Sequence, residues 1–217
     1  MPFKITSLLS KNRDYPLSLM NKKAHELFPR IWALGDLKIL EKPLLGFFCS
    51  IKCPGDIILS SYDLARVLRD SGVAVIGGFH SPIEKDCLDL LHRGTQPIVV
   101  CPARGIENMR MRKEYEKSLD QGKLLFLSPF NKDQHRPTVK TSTDRNLLVA
   151  ALSAVVFVAH AGPDSRTEDF CQEILSWKKP IYTFESGYNE NLIKMGIQSM
   201  DIENISGFAK ILSATDE

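Results

Sequence analysis

The pattern of apolar residues along the chain predicts buried strands alternating with amphipathic helices. Unbroken apolar runs are typical of strands buried on both faces of a parallel sheet, and here they occupy residues 44–49, 74–76, 98–101, 124–127, 154–159 and 181–184. Between them, apolar residues recur at helical spacing in residues 56–69, 82–91, 107–121, 145–152 and 168–177. We therefore predict an α/β fold, with a single Rossmann-like, doubly wound, mainly parallel sheet flanked by helices.

The same pattern divides the chain into three segments. In residues 1–43, four prolines interrupt short apolar pieces, which predicts an irregular or helical lead-in. Residues 44–197 carry the alternating pattern and form the predicted Rossmann-like domain, and residues 198–217 form a short C-terminal tail. Within the domain, residues 131–143 are a polar loop that is long enough to serve a function.

The stretch from residue 143 to residue 166 indicates where a ligand binds. Thr143 or Asp144 can cap a helix that starts at Arg145, a buried strand follows, and residues 161–165 form a polar turn before the next helix. In an open parallel sheet, ligands sit outside the carboxyl ends of the strands, where helix N-termini offer free amides to anions. We therefore expect a site at residues 162–167.

Composition and charge exclude few classes of function. The chain has 217 residues, of which 43% are hydrophobic, and its formal net charge of +2 permits binding to nucleic acid or phosphate without requiring it. The five cysteines are an odd number without a C-x-x-C pair, and the five histidines are scattered, so we expect unpaired thiols and no metal site. No charged-then-apolar leader opens the chain and no apolar run approaches the length of a membrane span, so we expect a soluble, cytosolic protein.

Several motifs occur in the order found in one known family. G-G-F-H-S-P-I-E at residues 77–84 is similar to the turn S-G-x-A-x-G-I-D, and R-N-L-L-V-A-A-L-S at residues 145–153 is close to the signature R-N-R-I-I-A-x-L-S. Residues 187–193 resemble G-x-N-x-L-I with one residue extra. Over residues 28–197 the chain therefore resembles the DNA-processing protein A (DprA/Smf) family, and this resemblance implies a Rossmann-like core.

The chain departs from that family at the glycine-rich turns. Phe48-Cys49-Ser50 stands where the family has G-S-R, Glu84 replaces an aspartate, and Arg166 replaces a glycine. A glycine in a phosphate-cradling turn lets the backbone come close to the phosphate. Each loss therefore argues against an unmodified nucleotide site.

Candidate ligand-binding residues lie at the predicted turns and helix starts. Arg145 would open a helix, where a cation opposes the helix dipole, so we expect an anionic ligand or an acidic side chain nearby. The candidate ligand- or phosphate-binding residues are Ser50, Gly78, Phe79, His80, Arg145, Asn146, Gly162, Ser165, Arg166 and Thr167. The candidate nucleic-acid contacts in basic loops are Lys52, Arg104, Arg110 and Arg136.

Aromatic and histidine side chains add two further expectations. Phe79, Phe130 or Tyr188 could stack on the bases of a bound strand. His80 and His160 each follow a predicted strand and could face one crevice, where they would bind phosphate or transfer protons. The alternative is that both are ordinary exposed or hydrogen-bonded loop histidines.

Three functions are compatible with these residues. The resemblance implies a DprA/Smf-like DNA-processing protein that binds single-stranded DNA through the carboxyl edge of the sheet and passes it to a recombinase, with no catalytic residue and no cofactor. The alternative is a sensor or carrier that binds a nucleotide or nucleotide derivative, with phosphate held at Gly78, Ser165 and Thr167. The third is a phosphoribohydrolase-type enzyme, in which Glu168 or Asp169 would supply a carboxylate. A homodimer is compatible with the sequence, and we expect no membrane partner.

Overall fold

The α/β fold is the one predicted from the sequence. The computed structural model describes residues 4–20, 22–107 and 109–201, together with residues 204 and 207. Within these ranges the chain forms a nine-stranded, mostly parallel sheet flanked by helices. No helix in the same ranges is both long enough and apolar enough to cross a membrane.

The described elements are as follows along the chain. The strands are β1 (Thr6–Leu9), β2 (Arg30–Gly35), β3 (Leu44–Phe48), β4 (Ala74–Gly77), β5 (Ile98–Val100), β6 (Leu124–Ser128), β7 (Val155–Val158), β8 (Ile181–Phe184) and β9 (Gln198–Met200). The α-helices are α1 (Lys22–Leu27), α2 (Gly55–Ser71), α3 (Pro82–Leu91), α4 (Lys113–Asp120), α5 (Val139–Leu152), α6 (Arg166–Leu175) and α7 (Glu190–Lys194). Short 3-10 turns lie at Leu17–Leu19, Leu37–Glu41 and Gly187–Asn189.

The strand order reverses beside β3. The sheet has the order β1-β2-β6-β5-β4-β3-β7-β8-β9, and only β2 runs opposite to the other eight strands. From β3 the chain moves outward through β4 and β5 to β6, and α5 then carries it back to β7 on the other side of β3. Phe47 accordingly pairs with Gly77 on one side and with Phe157 on the other. The carboxyl ends of β3 and β7 flank this switch point, where open α/β sheets bind ligands.

Two apolar layers hold the helices on the sheet. Successive side chains of β3 alternate between them: Leu44 and Phe48 pack in the layer that contains α5 and α6, and Leu45 and Phe47 pack in the layer that contains α2 and α3. Because β3 is covered on both faces, it reads as an unbroken apolar run. Each fully buried leucine or phenylalanine contributes roughly 1.5–3 kcal/mol to this core.

Two strands lie in the lead-in, where the prolines predicted irregular or helical structure. β2 pairs with β6, with Trp32 opposite Ser128, and β1 pairs with β2. The proline pattern misled because Pro29 lies directly before β2 and does not interrupt it. At the other end, β9 lies in the predicted tail and joins the sheet beside β8. The division of the chain into three segments stays a prediction.

Helix α5 begins at Val139, six residues before the start at Arg145 that the sequence predicts. Its cap is Thr138, whose hydroxyl accepts the amide of Thr141 at 3.1 Å, while the hydroxyl of Thr141 accepts the amide of Thr138 at 2.8 Å. This is a capping box in which threonine takes the place of the usual glutamate or glutamine. The first turns of α5 were missed because threonine, serine and aspartate, which fill residues 141–144, are weak helix formers.

The five cysteines are unpaired, as the sequence predicts. Burial raises the pKa of Cys101 and of Cys171 to about 12. Both side chains are therefore neutral thiols at physiological pH, and neither supplies a thiolate.

Candidate nucleic-acid interface

A cleft of about 890 Å³ opens at the carboxyl edge of the sheet, between the N-terminal ends of α5 and α6. We call it the switch-point cleft. Four residues predicted to bind a ligand line it: His80, Asn146, Arg166 and Thr167. The cleft therefore brings together side chains from the turn after β4 and from two helices that are distant in sequence.

Glu84 holds the backbone at the carboxyl ends of β3 and β4. Its carboxylate is only 6% exposed and accepts the amide of Cys49, after β3, at 2.9 Å. The same carboxylate accepts the amides of His80 at 2.7 Å and of Ser81 at 3.3 Å, after β4. One buried side chain thus holds the ends of two neighbouring strands in register. In the sequence, Glu84 stands out as a departure from the family motif, but the spacing of Ser81 and Glu84 is also the signature of a capping box.

Arg145 is a buried cation packed on Gly78. Its side chain is only 4% exposed, Nη1 donates to the carbonyl of Cys101 at 3.2 Å, and Nε donates to Oδ1 of Asn146 at 2.7 Å. A Cβ atom on Gly78 would lie 1.8 Å from Nη1, so only glycine leaves room for the guanidinium. Burial lowers the pKa of Arg145, and the charge of Glu84 partly opposes that shift.

These contacts correct the role predicted for Arg145. It lies in the second turn of α5 and not at the helix start, so the argument from the helix dipole does not apply. The acidic side chain expected nearby is Glu84, whose negative charge partly offsets the lowering of the pKa of Arg145 by burial. The two groups do not form an ion pair, since no described carboxylate lies within 4.0 Å of the guanidinium. A side chain this buried positions the end of β5 and the amide of Asn146.

Phe79 is also buried. It is 5% exposed, and its ring packs against Gly77, where an added Cβ would lie 3.1 Å from the ring. Its φ of 46° is a left-handed conformation that a bulky side chain rarely adopts, which marks the turn after β4 as strained. The ring is therefore not available to stack on a base. Of the three aromatic candidates, the half-buried Phe130 and the 54% exposed Tyr188 remain.

The two histidines predicted to share a crevice do not line the same cleft. His80 is exposed in the switch-point cleft, whereas His160 is 8% exposed and does not line it. Nδ1 of His160 lies 2.9 Å from Oδ1 of Asn189, whose amide nitrogen donates to the carbonyls of Ala159 and Phe184. Because Oδ1 is the acceptor end of that amide, Nδ1 of His160 is the donor. His160 is thus a hydrogen-bonded structural residue, which is the second of the two predicted alternatives.

The turn before α6 is built by its own side chains. Ser165 caps the helix by accepting the amide of Glu168 at 3.2 Å. The carboxylate of Glu168 accepts the amide of Asp164 at 2.7 Å and the side-chain amide of Asn191 at 2.6 Å. Gly162 has open space, since an added Cβ would meet only Nε2 of His160, at 3.9 Å. Glu168 is therefore committed to holding the turn, which removes it as the catalytic carboxylate of a phosphoribohydrolase.

Ser50 is the remaining predicted residue at this edge. Its amide donates to the carbonyl of His160 at 2.9 Å, which joins the ends of β3 and β7. The side chain is 9% exposed, and its hydroxyl has no partner among the described residues.

Basic side chains extend the site along the carboxyl edge beyond the switch-point cleft. The loop after β5 runs to Lys113, because α4 begins there and not at residue 107 as predicted. This loop packs on the loop after β6, where the amide of Gly105 donates to the carbonyl of Gln134 at 2.9 Å. The cations on these loops and on the loop after β3 form a set that we call the basic edge, namely Lys52, Arg104, Arg110, Lys132 and Arg136.

The cations of the basic edge are available to a ligand. Arg112 and Lys140 lie on the same side of the sheet, but they pair with Asp89 at 3.6 Å and with Asp144 at 2.9 Å. Within the described ranges, no carboxylate lies within 4.0 Å of the cationic groups of the basic edge. Unpaired cations on adjoining loops attract a polyanion more strongly than cations that a carboxylate neutralises.

Comparison with known proteins decides the family. The family model of DNA recombination-mediator protein A matches residues 6–210. The chain belongs to this family. The match confirms the resemblance seen in the sequence and the DNA-processing role that it implied. No curated protein sequence matches the chain significantly.

Solved structures with the same fold include two proteins of this kind. DNA processing protein A from Streptococcus pneumoniae is 18% identical, with a TM-score of 0.77 over 99% of this chain and 75% of that protein. DNA processing protein A from Helicobacter pylori, described for its single-stranded DNA binding mode, is 19% identical, with a TM-score of 0.76 over 100% of this chain and 99% of that protein. The molybdenum cofactor carrier protein of Chlamydomonas reinhardtii shares the core more distantly, at 12% identity and a TM-score of 0.54 over 80% of this chain and 99% of that protein.

This family member has a second cleft, of about 1020 Å³, at the opposite edge of the sheet. We call it the amino-edge cleft, and Tyr15, Lys38 and Lys179 are among the residues that line it. Nζ of Lys179 donates to the carbonyl of Ala151 at 3.1 Å and to the carbonyl of Ser153, at the C-terminal end of α5. Burial lowers the pKa of Lys179 to about 8.

The depressed pKa of Lys179 makes stability depend on pH. Between about pH 8 and pH 10.5 the unfolded chain retains a proton on this lysine that the folded chain has released. The native state is therefore expected to gain stability as pH rises through this window. Urea unfolding of the native protein and of Lys179→Met between about pH 7 and pH 10 should show their difference moving in favour of the native protein. A difference that stays constant across the window would contradict the shift.

Proposed function

We propose that the chain binds single-stranded DNA along the carboxyl edge of its sheet. The observation that carries the proposal is the basic edge, which places unpaired cations on adjoining loops beside the switch-point cleft. The family of DNA recombination mediators and the single-stranded DNA bound by the Helicobacter pylori relative support the same ligand. Passing the strand to a recombinase follows from a mediator role and is part of the proposal, as are a cytoplasmic location and assembly as a homodimer.

In this proposal, phosphates and bases contact different parts of the edge. Phosphates lie on the basic edge, where each neutralised charge releases a counterion from the strand. Bases lie against apolar and aromatic surfaces, for which Phe130 on the loop after β6 and Tyr188 after β8 are accessible. Stacking tolerates every base because each has a flat π face.

The two alternative functions find less support at the same edge. In a nucleotide sensor, Gly78 would present its backbone to a phosphate, but the buried guanidinium of Arg145 already covers this glycine. In a phosphoribohydrolase, Glu168 or Asp169 would supply the carboxylate, but both carboxylate oxygens of Glu168 accept hydrogen bonds within the protein, which leaves Asp169 alone for that role. Binding of a strand to the outer loops requires neither group.

Removing two cations of the basic edge is expected to weaken DNA binding. Arg110→Ala combined with Arg136→Ala should lower the affinity for single strands of any sequence on the order of tenfold at low salt, and should reduce the slope of log affinity against log salt by about 1.4. Fluorescence anisotropy with a labelled oligonucleotide over a range of salt concentrations measures both quantities.

The matched control removes two cations from the other side of the molecule. Lys38 lies on the amino-edge cleft and Lys117 lies late in α4, and both are exposed. The pair Lys38→Ala and Lys117→Ala changes net charge equally and should leave the salt slope unchanged. Equal losses of affinity in the two double variants would show that only net charge matters and would contradict a binding surface at the basic edge.

A further inference from the structure

The switch-point cleft is less basic than the loops beside it. Arg166 stands at its mouth, but the same face of α6 also presents Asp169, and Glu173 follows one helical turn later. The side chain of Asp169 has no hydrogen bond or ion pair to any residue that the structure describes. A phosphate inside the cleft would meet this carboxylate, so the backbone of a bound strand belongs on the rim.

Helix α5 offers a hydrogen-bond donor to the cleft. Asn146 lines the cleft from α5, and its Oδ1 accepts Nε of Arg145 at 2.7 Å. Because Arg145 has only donors, this contact fixes which end of the amide is oxygen. Nδ2 of Asn146 has no partner in the described ranges and is the end left for a ligand. The cleft therefore presents a donor from α5 and a negatively charged acceptor from α6.

The mouth of the cleft is apolar. Ile51 is 70% exposed and Val139 is 55% exposed, and both line the cleft together with Pro137. Large apolar side chains at the mouth of a polar cleft suit the flat faces of a heterocyclic ring whose polar edge points inward.

We propose that the switch-point cleft is a guanine-selecting subsite for one base of the bound strand. This proposal rests on the proposed binding of single-stranded DNA. The N1–H and N2–H groups of guanine donate in parallel to the carboxylate of Asp169, and O6 accepts from Nδ2 of Asn146. Adenine would instead turn its N1 acceptor toward the carboxylate, and inosine lacks the N2 amino group. Asp169 is then the residue that determines base specificity.

The test compares strands that differ in one base. A labelled thymidine strand of about 15 nucleotides carries a single central guanine, inosine or adenine, and anisotropy titrations give the three affinities at one salt concentration. The guanine strand is expected to bind roughly fivefold more tightly than the inosine strand and roughly tenfold more tightly than the adenine strand. In Asp169→Asn, the preference for guanine over inosine should fall below about twofold, because the bidentate carboxylate contact is lost.

Asp133→Asn is the matched control, since Asp133 is an exposed aspartate of the loop after β6 that lies outside the cleft. It should strengthen binding to the three strands alike and preserve their ratios. Equal affinities of the native protein for the three strands would overturn the guanine subsite, as would an unchanged preference in Asp169→Asn. In both cases salt-sensitive binding would leave the proposed function standing, whereas no binding to any strand would overturn that function itself.

Discussion

Replacing Glu84 with glutamine is expected to lower the free energy of unfolding by about 3 kcal/mol, because it removes a buried charge on which two strand ends depend. The glutamine has one acceptor oxygen where the carboxylate has two. Its NH2 group would face either the amide of Cys49 or those of His80 and Ser81. The substitution also removes the negative charge that favours the buried guanidinium of Arg145.

Urea unfolding followed by circular dichroism measures this loss. Glu116→Gln is the matched control, since Glu116 is exposed on α4 and no described hydrogen bond or ion pair involves its side chain. The control should change stability by less than about 0.5 kcal/mol. If Glu84→Gln were as stable as the control, the carboxylate would not be holding the ends of β3 and β4 together.

Gly78→Ala is expected to cost about 2 to 3 kcal/mol, although it adds only one methyl group. The new Cβ would lie 1.8 Å from Nη1 of Arg145. A flexible side chain would usually move away from such a clash, but this guanidinium is enclosed and donates to Cys101 and Asn146. Either the guanidinium gives up those bonds or the turn after β4 shifts.

A double-mutant cycle identifies the cause of that loss. If the clash with the guanidinium is responsible, the cost of Gly78→Ala should fall by more than half in an Arg145→Met background. Gly55→Ala is the control, because an added Cβ at Gly55 meets nothing within 4 Å, and it should be neutral or stabilising. Equal costs of Gly78→Ala in the two backgrounds would contradict the contact.

The six strands predicted from the sequence all appear in the sheet. A strand that is buried on both faces is a continuous apolar run, so it can be recognised without knowing which strands pair with it. β1 and β2 escaped prediction for the opposite reason. They join the sheet by pairing with residues that are distant in the sequence, and Pro29 stands directly beside β2. The hydrophobic pattern of a short segment does not show which distant residues it pairs with.

The sequence predicts a candidate site at the carboxyl edge, and the structure brings four of its residues together there, but the contacts of the other residues were not all predictable. In this fold the carboxyl ends of the strands and the N-terminal ends of the helices meet at one edge of the sheet. His80, Asn146, Arg166 and Thr167 therefore lie in one cleft. Whether a side chain faces that cleft depends on contacts across the sheet. The burial of Arg145 follows from a carbonyl on β5's end and a glycine after β4, which only the folded structure brings together.

Photo-crosslinking of a bound strand tests most directly which edge of the sheet holds DNA. A strand that carries iododeoxyuridine crosslinks to aromatic and histidine side chains next to its bases, and mass spectrometry of the digested protein identifies them. Binding at the carboxyl edge predicts crosslinks at His80, Phe130 and Tyr188, which should weaken as salt rises. A strand that binds but forms no crosslink at His80, Phe130 or Tyr188 would contradict the account.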